Sequence, residues 1–437
     1  MAKDNKEKLN KKPNLERFAP QSVDSAMQTF AESEIPEAPK KKKNGWLSNV
    51  LLVVVIVATL YIMLQLGQNM GDGIKSFDEV LANSDKLFML ITVGVLLLLF
   101  TLESSKYATI ISVIDGRPRW KESIKVMFLG KYYDNVTPFA SGGQPWQISY
   151  LNKKGFSGGT STAVVMIKYV ANIFMWLMVS AIAMTFNKDA LTALSPEMQG
   201  TLVAGGWLGW AINMILPVFA ISFLLMPRVG TAIVRGIVRL GAKIRIIKNE
   251  EKMQNKAFKL VKDFKAAISI MVHHPWRLVV LLLLCMAEVT LVFALPYFVM
   301  RAYNGLPEAN GIATFFDVIT LNVFATLAVA VVPTPGNSGA LESMVMGAFS
   351  KIAQEVVFWV VLTWRTLVYY VYILVGFGIT IFEMIRNAVN KSKQKRLEKQ
   401  SSATQSTDVE VAQQDDLQAG ADQAEQQTSD TNCDEAN

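Results

Sequence analysis

The chain has 437 residues, of which 51% are hydrophobic, and its formal net charge is +7. The hydrophobic residues are gathered into long blocks, which is typical of a protein that crosses a membrane several times and predicts a working site inside the bilayer rather than in a soluble domain. The two cysteines, Cys285 and Cys433, are too few for a disulfide framework or a zinc site within one chain.

The two ends of the chain differ from its middle. The first 45 residues are polar and end in Lys40, Lys41, Lys42 and Lys43, whereas a cleavable signal peptide would begin within the first few residues. The stretch 401–437 contains nine acids and no Lys or Arg. Neither end can bury enough apolar surface to fold. We therefore predict a disordered cytoplasmic arm at 1–45, a transmembrane domain at 46–390 and a disordered acidic tail at 391–437.

Seven hydrophobic blocks are each long enough to cross about 30 Å of hydrocarbon. They cover residues 46–66, 87–114, 163–186, 202–226, 276–300, 312–332 and 356–385. Lys and Arg in short loops mark the cytoplasmic side, and they cluster at 40–43, 117–125, 228–265 and 386–399. Both termini are then expected in the cytoplasm and the protein in the cell membrane. This topology needs an even number of crossings, so one block must enter and leave by the same face.

The block 312–332 is the candidate for this re-entrant segment. It runs into a sequence with two prolines and two glycines, namely Pro333, Thr334, Pro335, Gly336, Asn337, Ser338 and Gly339. These residues break a helix, and non-helical backbone at membrane depth persists only inside protein or beside a wet cavity. We predict a re-entrant hairpin over 312–350 that enters from outside.

An equivalent pattern occurs earlier in the chain. Residues 122–134 predict an amphipathic half-helix, and residues 144–151 return the chain to the face from which it entered. Between these two segments lies a break made of Thr137, Pro138, Phe139, Ala140, Ser141, Gly142 and Gly143. Two similar hairpins that enter from opposite faces indicate an inverted repeat, and broken helices in corresponding halves point to the binding site of a transporter. We predict an all-α polytopic membrane protein with about six full spans and two re-entrant broken hairpins in an inverted repeat.

Ionisable residues are few within the blocks, where a charge at the bilayer centre costs about 2.5 to 3.5 kcal/mol. Lys168 lies 25 residues after Gly143 and Arg365 lies 26 after Gly339, so each break precedes one cation at a similar distance. Both cations can meet a phosphate oxygen, with N–H donors added by the half-helix N-termini. Two structural alternatives stay open. Glu288 and Arg365 can form an ion pair that only fixes packing, and Lys168 can reach the cytoplasmic interface.

The breaks and these ionisable residues form the predicted substrate site. Its members are Thr137, Pro138, Ser141, Gly142, Gly143, Gln144, Lys168, Glu288, Thr334, Pro335, Gly336, Ser338, Gly339, Glu342 and Arg365. A P-loop and a nucleophile beside a base do not occur in the sequence, so we predict no ATP-driven engine, catalytic residue, metal or cofactor.

Between Pro227 and Pro275 lie eleven basic residues and three acids. Arg235, Arg239 and Lys243 recur at four-residue spacing. The segment 228–275 therefore predicts basic cytoplasmic or interfacial helices whose residues 228–265 contact an anionic leaflet, the alternative being ordinary positive-inside topology. Elements that read bases are missing from the sequence, so no nucleic-acid partner is expected.

The two broken segments, from Tyr132 to Pro145 and from Pro333 to Glu342, together with Arg365, resemble the flippase-like transmembrane region of the lysylphosphatidylglycerol synthase (multiple peptide resistance factor) family. The resemblance covers roughly residues 46–390. It implies a lipid-handling membrane domain without the C-terminal synthase domain, because only about 50 residues follow the last span. The chain departs from the family pattern in having Gln144 in place of an acid and Lys168 in place of an arginine.

The resemblance implies a translocase for an anionic or aminoacylated phospholipid or a lipid-linked precursor. One alternative is a phosphatidylglycerol lysyltransferase-type enzyme, or its membrane subunit, in lipid aminoacylation and cationic peptide resistance. Such a subunit would need a partner synthase or glycosyltransferase. A further alternative is a membrane scaffold whose polar arms recruit soluble proteins.

Overall fold

The structure, a computed structural model, describes residues 75–137, 142–225, 269–306, 311–330 and 332–386, together with the single positions 57, 61, 65, 236, 389 and 392. Several sequence predictions lie outside these residues. They are the arm at 1–45, the tail at 391–437, nearly all of the first block and of the basic segment 228–265, and the site residues Pro138 and Ser141.

Every regular element in the described residues is a helix. The helices are α1 (Phe77–Ala82), α2 (Lys86–Asp115), α3 (Trp120–Val136), α4 (Gly143–Lys153), α5 (Gly158–Phe186), α6 (Pro196–Leu225), α7 (Pro275–Ala302), α8 (Gly311–Ala328), α9 (Ala340–Phe349) and α10 (Val357–Arg365). Short 3-10 turns lie at Lys188–Ala193, Pro335–Asn337 and Gln354–Val356, and a π-helical turn at Thr366–Tyr370 follows α10.

Four helices in this part of the chain are long and apolar enough to cross a membrane. They are Lys86–Asp115, Thr160–Phe186, Pro275–Ala302 and Val357–Arg386. Helix α6 has 30 residues and contains Pro217. The prediction of an all-α polytopic membrane protein is therefore confirmed, whereas the number of crossings and the side on which each loop lies stay predictions.

The chain divides into two compact units, Met1–Phe377 and Gly378–Asn437. All of the helices α1 to α10 and both breaks belong to the first unit. The described part of the second unit, residues 378–386, is helical.

Polar residues at the block boundaries fix where the long helices begin. Asp85 accepts the backbone N–H groups of Leu87 and Phe88 at the start of α2, at 2.8 and 3.2 Å. Ser157 accepts the N–H of Thr160 at the start of α5, at 3.1 Å. These side chains satisfy N–H groups that have no partner within the helix.

Helices α2 and α7 pack against each other in antiparallel directions. The N–H of Asp85, before the first residue of α2, donates to the carbonyl of Ala302, the last residue of α7, at 2.8 Å. The side chain of Asn304 donates to the carbonyl of Asn83 at the same end. The start of one helix therefore lies beside the end of the other.

The same order of elements occurs twice. A long helix, a half-helix, a break, a second half-helix and a long helix make up both α2 to α5 and α7 to α10, where α10 begins the long helix Val357–Arg386. In each set the consecutive helices pack against one another, and the first helix packs against the last. Because α2 and α7 begin the two sets and are antiparallel, this arrangement has the form that the predicted inverted repeat requires.

Helix α6 packs closely against α8 through small residues. A side chain at Gly209 of α6 would overlap the backbone carbonyl of Leu327, and one at Gly205 would contact Ala328 at 2.8 Å. Such close approach of two backbones is typical of helix packing in membranes. It fixes α8, the first half-helix of the second hairpin, against α6, which lies between the two sets in the chain.

Candidate functional site

The second break is a tight turn held by its own side chains. Gly336, Asn337 and Gly339 have φ angles of 58°, 54° and 89°, in the left-handed region that favours glycine. Ser338 donates its hydroxyl to the carbonyl of Pro335 at 2.8 Å, and Thr334 donates to the carbonyl of Ser338 at 3.2 Å. The break therefore has one defined shape rather than an open loop.

Arg365 closes this turn from the opposite side. Its Nε donates to Glu342 Oε1 at 2.5 Å, and its Nη2 donates to the carbonyl of Gly336 at 2.5 Å and to the hydroxyl of Ser338 at 3.1 Å. Its guanidinium carbon lies 4.3 Å from the centre of the Tyr369 ring. Arg365 is 4% exposed and Glu342 is fully buried, so this is a desolvated and well-bonded charge pair.

Glu342 also caps the half-helix that follows the break. Its second oxygen, Oε2, accepts the backbone N–H of Gly339 at 2.6 Å. One carboxylate therefore holds both the cation of α10 and the N-terminus of α9. The N–H of Gly339, at this half-helix N-terminus, donates to Glu342 in this structure.

The first break is held in a related way. Thr137 accepts the N–H of Gly142 at 2.9 Å, and Asp134 of α3 accepts the N–H of Gly143 at 2.8 Å. A side chain at Gly143 would overlap the Asp134 carboxylate. Gln144 is partly buried in the first turn of α4. A glycine at the start of each half-helix that follows a break, Gly143 as the first residue of α4 and Gly339 directly before α9, thus has its N–H bonded to a carboxylate.

A network of charged side chains lies next to the first break. Glu103 forms ion pairs with Lys106 and, at 2.5 Å, with Lys168. Glu288 forms ion pairs with Lys106 at 3.3 Å and with Lys131 at 4.0 Å. We call these five residues, from α2, α3, α5 and α7, the ion network. Lys106 also donates to the side chain of Asn172 at 2.7 Å.

The ion network is buried at its centre and open at one end. The side chains of Lys106, Glu103 and Glu288 are 0%, 2% and 5% exposed, whereas those of Lys168 and Lys131 are 14% and 33% exposed. Glu288 is halfway along α7, so the network is at the middle of a candidate span. Charges at this depth are costly unless they are paired or face water.

The contacts decide one of the two structural alternatives from the sequence. The proposed ion pair between Glu288 and Arg365 is wrong, because Glu288 pairs with lysines of the ion network while Arg365 pairs with Glu342. The other alternative, in which Lys168 reaches the cytoplasmic interface, stays a prediction; in the structure its ammonium group bonds Glu103 and its side chain is 14% exposed. The two cations that follow the breaks therefore belong to separate clusters.

The two halves of the protein meet beside the second break. Tyr369 donates its hydroxyl to the carbonyl of Asn135 at 3.1 Å, and the Asn135 side chain lies 3.5 Å from the carbonyl of Tyr369. The Tyr369 ring also covers Gly336, where an added side chain would overlap it. Asn135 lies in the last turn of the first half-helix and Tyr369 lies in the π-helical turn. This contact therefore joins the two breaks through one tyrosine.

The predicted substrate site omits five residues of these clusters. Glu103 and Lys106 lie on α2. Lys131 and Asp134 lie on the half-helix α3, and Asn172 lies one turn after Lys168 on α5. Their spacing indicates in part which of them lie together, since Lys131 and Asp134 share one helix face, as do Lys168 and Asn172. Which other helices these residues contact could not be read from spacing.

Among the described residues, no group of three His, Cys, Asp or Glu side chains is arranged to hold a metal ion. The carboxylates of both clusters are instead bonded to lysine, arginine and backbone N–H groups.

This fold and these clusters define a multi-pass membrane protein with broken helices and buried charges in its core. The family model described as "Lysylphosphatidylglycerol synthase TM region" matches residues 47–376. The chain belongs to this family, as the sequence resemblance predicted. No curated protein and no solved structure gives a significant match to the chain.

Proposed function

We propose that the protein moves a phospholipid between the two leaflets of the cell membrane, with both termini in the cytoplasm. The substrate would be an anionic or aminoacylated phospholipid or a lipid-linked precursor. The observation that carries this proposal is the contact between Asn135 and Tyr369, which joins two matched broken hairpins next to buried charges. Broken helices that meet at the interface of two repeats are the usual binding region of secondary transporters.

Each break is held by a carboxylate that a ligand could replace. Asp134 holds the N–H of Gly143, and Glu342 holds the N–H of Gly339. In the proposed cycle one set of helices rocks against the other about the Asn135–Tyr369 contact, and the headgroup passes the two breaks and the ion network. The substrate-binding roles of Thr137, Gly142, Gly143, Gln144 and Lys168 are part of this proposal.

The proposal gives a substrate-binding role also to the second break, to its partners Glu342 and Arg365, and to Glu288. In addition, we propose that the basic segment 228–265 rests on the anionic cytoplasmic leaflet.

Transport of labelled lipid into and out of vesicles tests the proposal. The full chain is reconstituted into vesicles that contain fluorescent phosphatidylglycerol, and dithionite is added outside to quench the accessible label. An active translocase should make the label of the inner leaflet accessible, whereas protein-free vesicles should retain about half of it protected. Equal protection with and without the protein, for phosphatidylglycerol and for its aminoacylated form, would contradict the proposal.

Lipid analysis of a deletion strain separates the alternatives. A changed distribution of a lipid between leaflets, at unchanged total amount, supports transport. Loss of an aminoacylated lipid species would instead support a role in synthesis together with a partner synthase or glycosyltransferase. A strain with neither change would support the scaffold alternative.

A further inference from the structure

The last long helix, Val357–Arg386, contains one turn that is not α-helical. After the turn Thr366–Tyr370 the backbone N–H of Val371 donates to the carbonyl of Thr366, five residues earlier, whereas α-helical bonds join residues four apart. A π turn therefore holds one residue more than an α turn. Such turns are rare, lie frequently at functional sites, and are among the few places where a helix bends sharply.

The part of this helix before the π turn is bound to the second set, α7 to α10. Helix α10 packs against α7 and α9. Its last residue, Arg365, bonds Glu342 and the carbonyl of Gly336. The hydroxyls of Thr363 and of Tyr303, directly after α7, are hydrogen-bonded at 2.7 Å. This part of the helix is therefore fixed to α7 and to the second break.

After the π turn the helix contacts the first set, α2 to α5. The ring of Tyr372 packs edge-on against Phe100 of α2, at 5.2 Å between centroids, and lies 5.9 Å from the ring of Phe128 of α3. At Gly376 the helix approaches α3 so closely that an added Cβ would overlap Tyr132. The two parts of one helix are thus fixed to different sets, and the π turn lies at the point of change.

Tyr369, within the π turn, contacts both sets and is 1% exposed. Its ring covers Gly336 and the guanidinium of Arg365, which belong to the second set. Its hydroxyl donates to the carbonyl of Asn135 of the first set at 3.1 Å, and the Asn135 side chain approaches the carbonyl of Tyr369. A motion of one set relative to the other therefore acts on this turn.

We propose that the π turn Thr366–Tyr370 is the hinge of the last long helix, and that its backbone exchanges between π-helical and α-helical bonds as the two sets rock. The N–H of Val371 then moves from the carbonyl of Thr366 to that of Leu367, so one hydrogen bond replaces another while the helix bends. The proposal rests on the proposed function, and it deepens it by naming the element at which the two sets move.

Deletion of Thr366 tests the hinge. Thr366 is exposed, and its hydroxyl donates to the carbonyl of Leu362 in the same helix. Removal of one residue converts the π turn into an α turn and leaves the residues on both sides in their present contacts. We expect the variant to melt at the temperature of the wild type or above it, and to move lipid at least about tenfold more slowly.

Deletion of Leu374 is the matched control. Leu374 is 68% exposed and lies in the α-helical part after the turn, which holds no additional residue. Its loss rotates the residues that follow, Gly376 among them, by about 100° relative to α3, so this variant should melt lower. The proposal would be overturned if the deletion of Thr366 melted as low as this control. Wild-type transport by the deletion of Thr366 would overturn it as well.

Distances between the two sets test the hinge without transport. Spin labels are attached to Leu97→Cys of α2 and Phe316→Cys of α8, both exposed, in a Cys433→Ser background where Cys285 is buried. Pulsed electron spin resonance of the full chain, with and without phosphatidylglycerol, should give two distances for the wild type and one for the deletion of Thr366. A single, identical distance in both proteins would overturn the proposal. Two distances in a wild type that moves no lipid would support the hinge and remove the proposed function alone.

Discussion

Arg365 and Glu342 form a buried pair in which the carboxylate serves two helices. Its Oε1 accepts from Arg365 at 2.5 Å and its Oε2 accepts the N–H of Gly339 at 2.6 Å. The arginine in turn donates to the carbonyl of Gly336 and to Ser338. The pair therefore ties the break and the two helices that follow it into one unit.

Removal of one member of this pair should destabilise the protein strongly. We expect Arg365→Gln or Glu342→Gln to cost about 3 to 5 kcal/mol, because each leaves an uncompensated buried charge. The double variant should recover a large part of this loss. The measurement is thermal or chemical unfolding in detergent. Additive losses in the double variant would show that the two residues stabilise the fold independently.

The exposed pair of Lys75 and Glu355 is the matched control. Their side chains are 39% and 58% exposed, and the hydrogen bond with Glu355 raises the pKa of Lys75. Exposed pairs contribute little to stability. The variant Lys75→Gln should therefore melt as the wild type does.

A conservative change at Arg365 should separate charge from geometry. Lysine keeps the positive charge but lacks the planar group that bonds Glu342, Gly336 and Ser338 together. We expect Arg365→Lys to fold, with a loss of about 1 to 3 kcal/mol, and to move lipid at least about tenfold more slowly. Vesicle transport and melting are measured on the same preparation. Wild-type transport by this variant would show that the break needs only a charge at this position.

The turn at Gly336 should not accept a side chain. Its φ is 58°, and an added Cβ would overlap the ring of Tyr369. We expect Gly336→Ala to cost about 1 to 3 kcal/mol through backbone strain and the displaced ring. It should also slow lipid transport, because Tyr369 contacts Asn135 of the other set.

Two other glycines provide controls for this substitution. Gly116 has a φ of 75° but open space around its Cα, so Gly116→Ala reports strain alone. Gly94 lies within α2 with nothing near it, and Gly94→Ala should be neutral or slightly stabilising. If Gly336→Ala loses no more stability than Gly116→Ala, the ring contact of Gly336 has no energetic consequence.

The sequence predicted the breaks and their cations because proline, glycine and buried charge leave local signals. The capping role of Glu342 was also within reach, since it lies three residues after Gly339, the spacing of a capping box. The alternative that paired Glu288 with Arg365 was wrong, because the choice among Lys106, Lys131 and Arg365 depends on which helices are adjacent. That adjacency is tertiary and follows from the antiparallel packing of α2 and α7.

Lys131 was overlooked for a related reason. The half-helix α3 has the alternation of an amphipathic helix, and a lysine on such a helix usually faces water. Its approach to Glu288 arises only when α3 packs against α2, which in turn packs against α7. The structure thus adds the ion network to a site whose breaks the sequence had already located.

If both hairpins are re-entrant, the order of the elements determines on which side of the membrane each loop lies. Between Arg117 and Lys351 the chain then passes through α5, α6 and α7 as full crossings, and an odd number of crossings puts the two residues on opposite sides. Arg117 is expected in the cytoplasm, because it lies in a basic cluster, and Lys351 outside. Both side chains are exposed, so a cysteine at either position can be labelled.

The measurement uses a membrane-impermeant maleimide on intact cells, in a Cys433→Ser background where the remaining Cys285 is buried. Lys351→Cys should react in intact cells and Arg117→Cys only after permeabilisation. Cysteines at Asn310 and Lys248, outside the described residues, should follow Lys351 and Arg117 respectively. Cytoplasmic labelling at position 351 would mean that α8 and the second break cross the bilayer instead of returning, and the two sets of helices would then no longer be inverted copies.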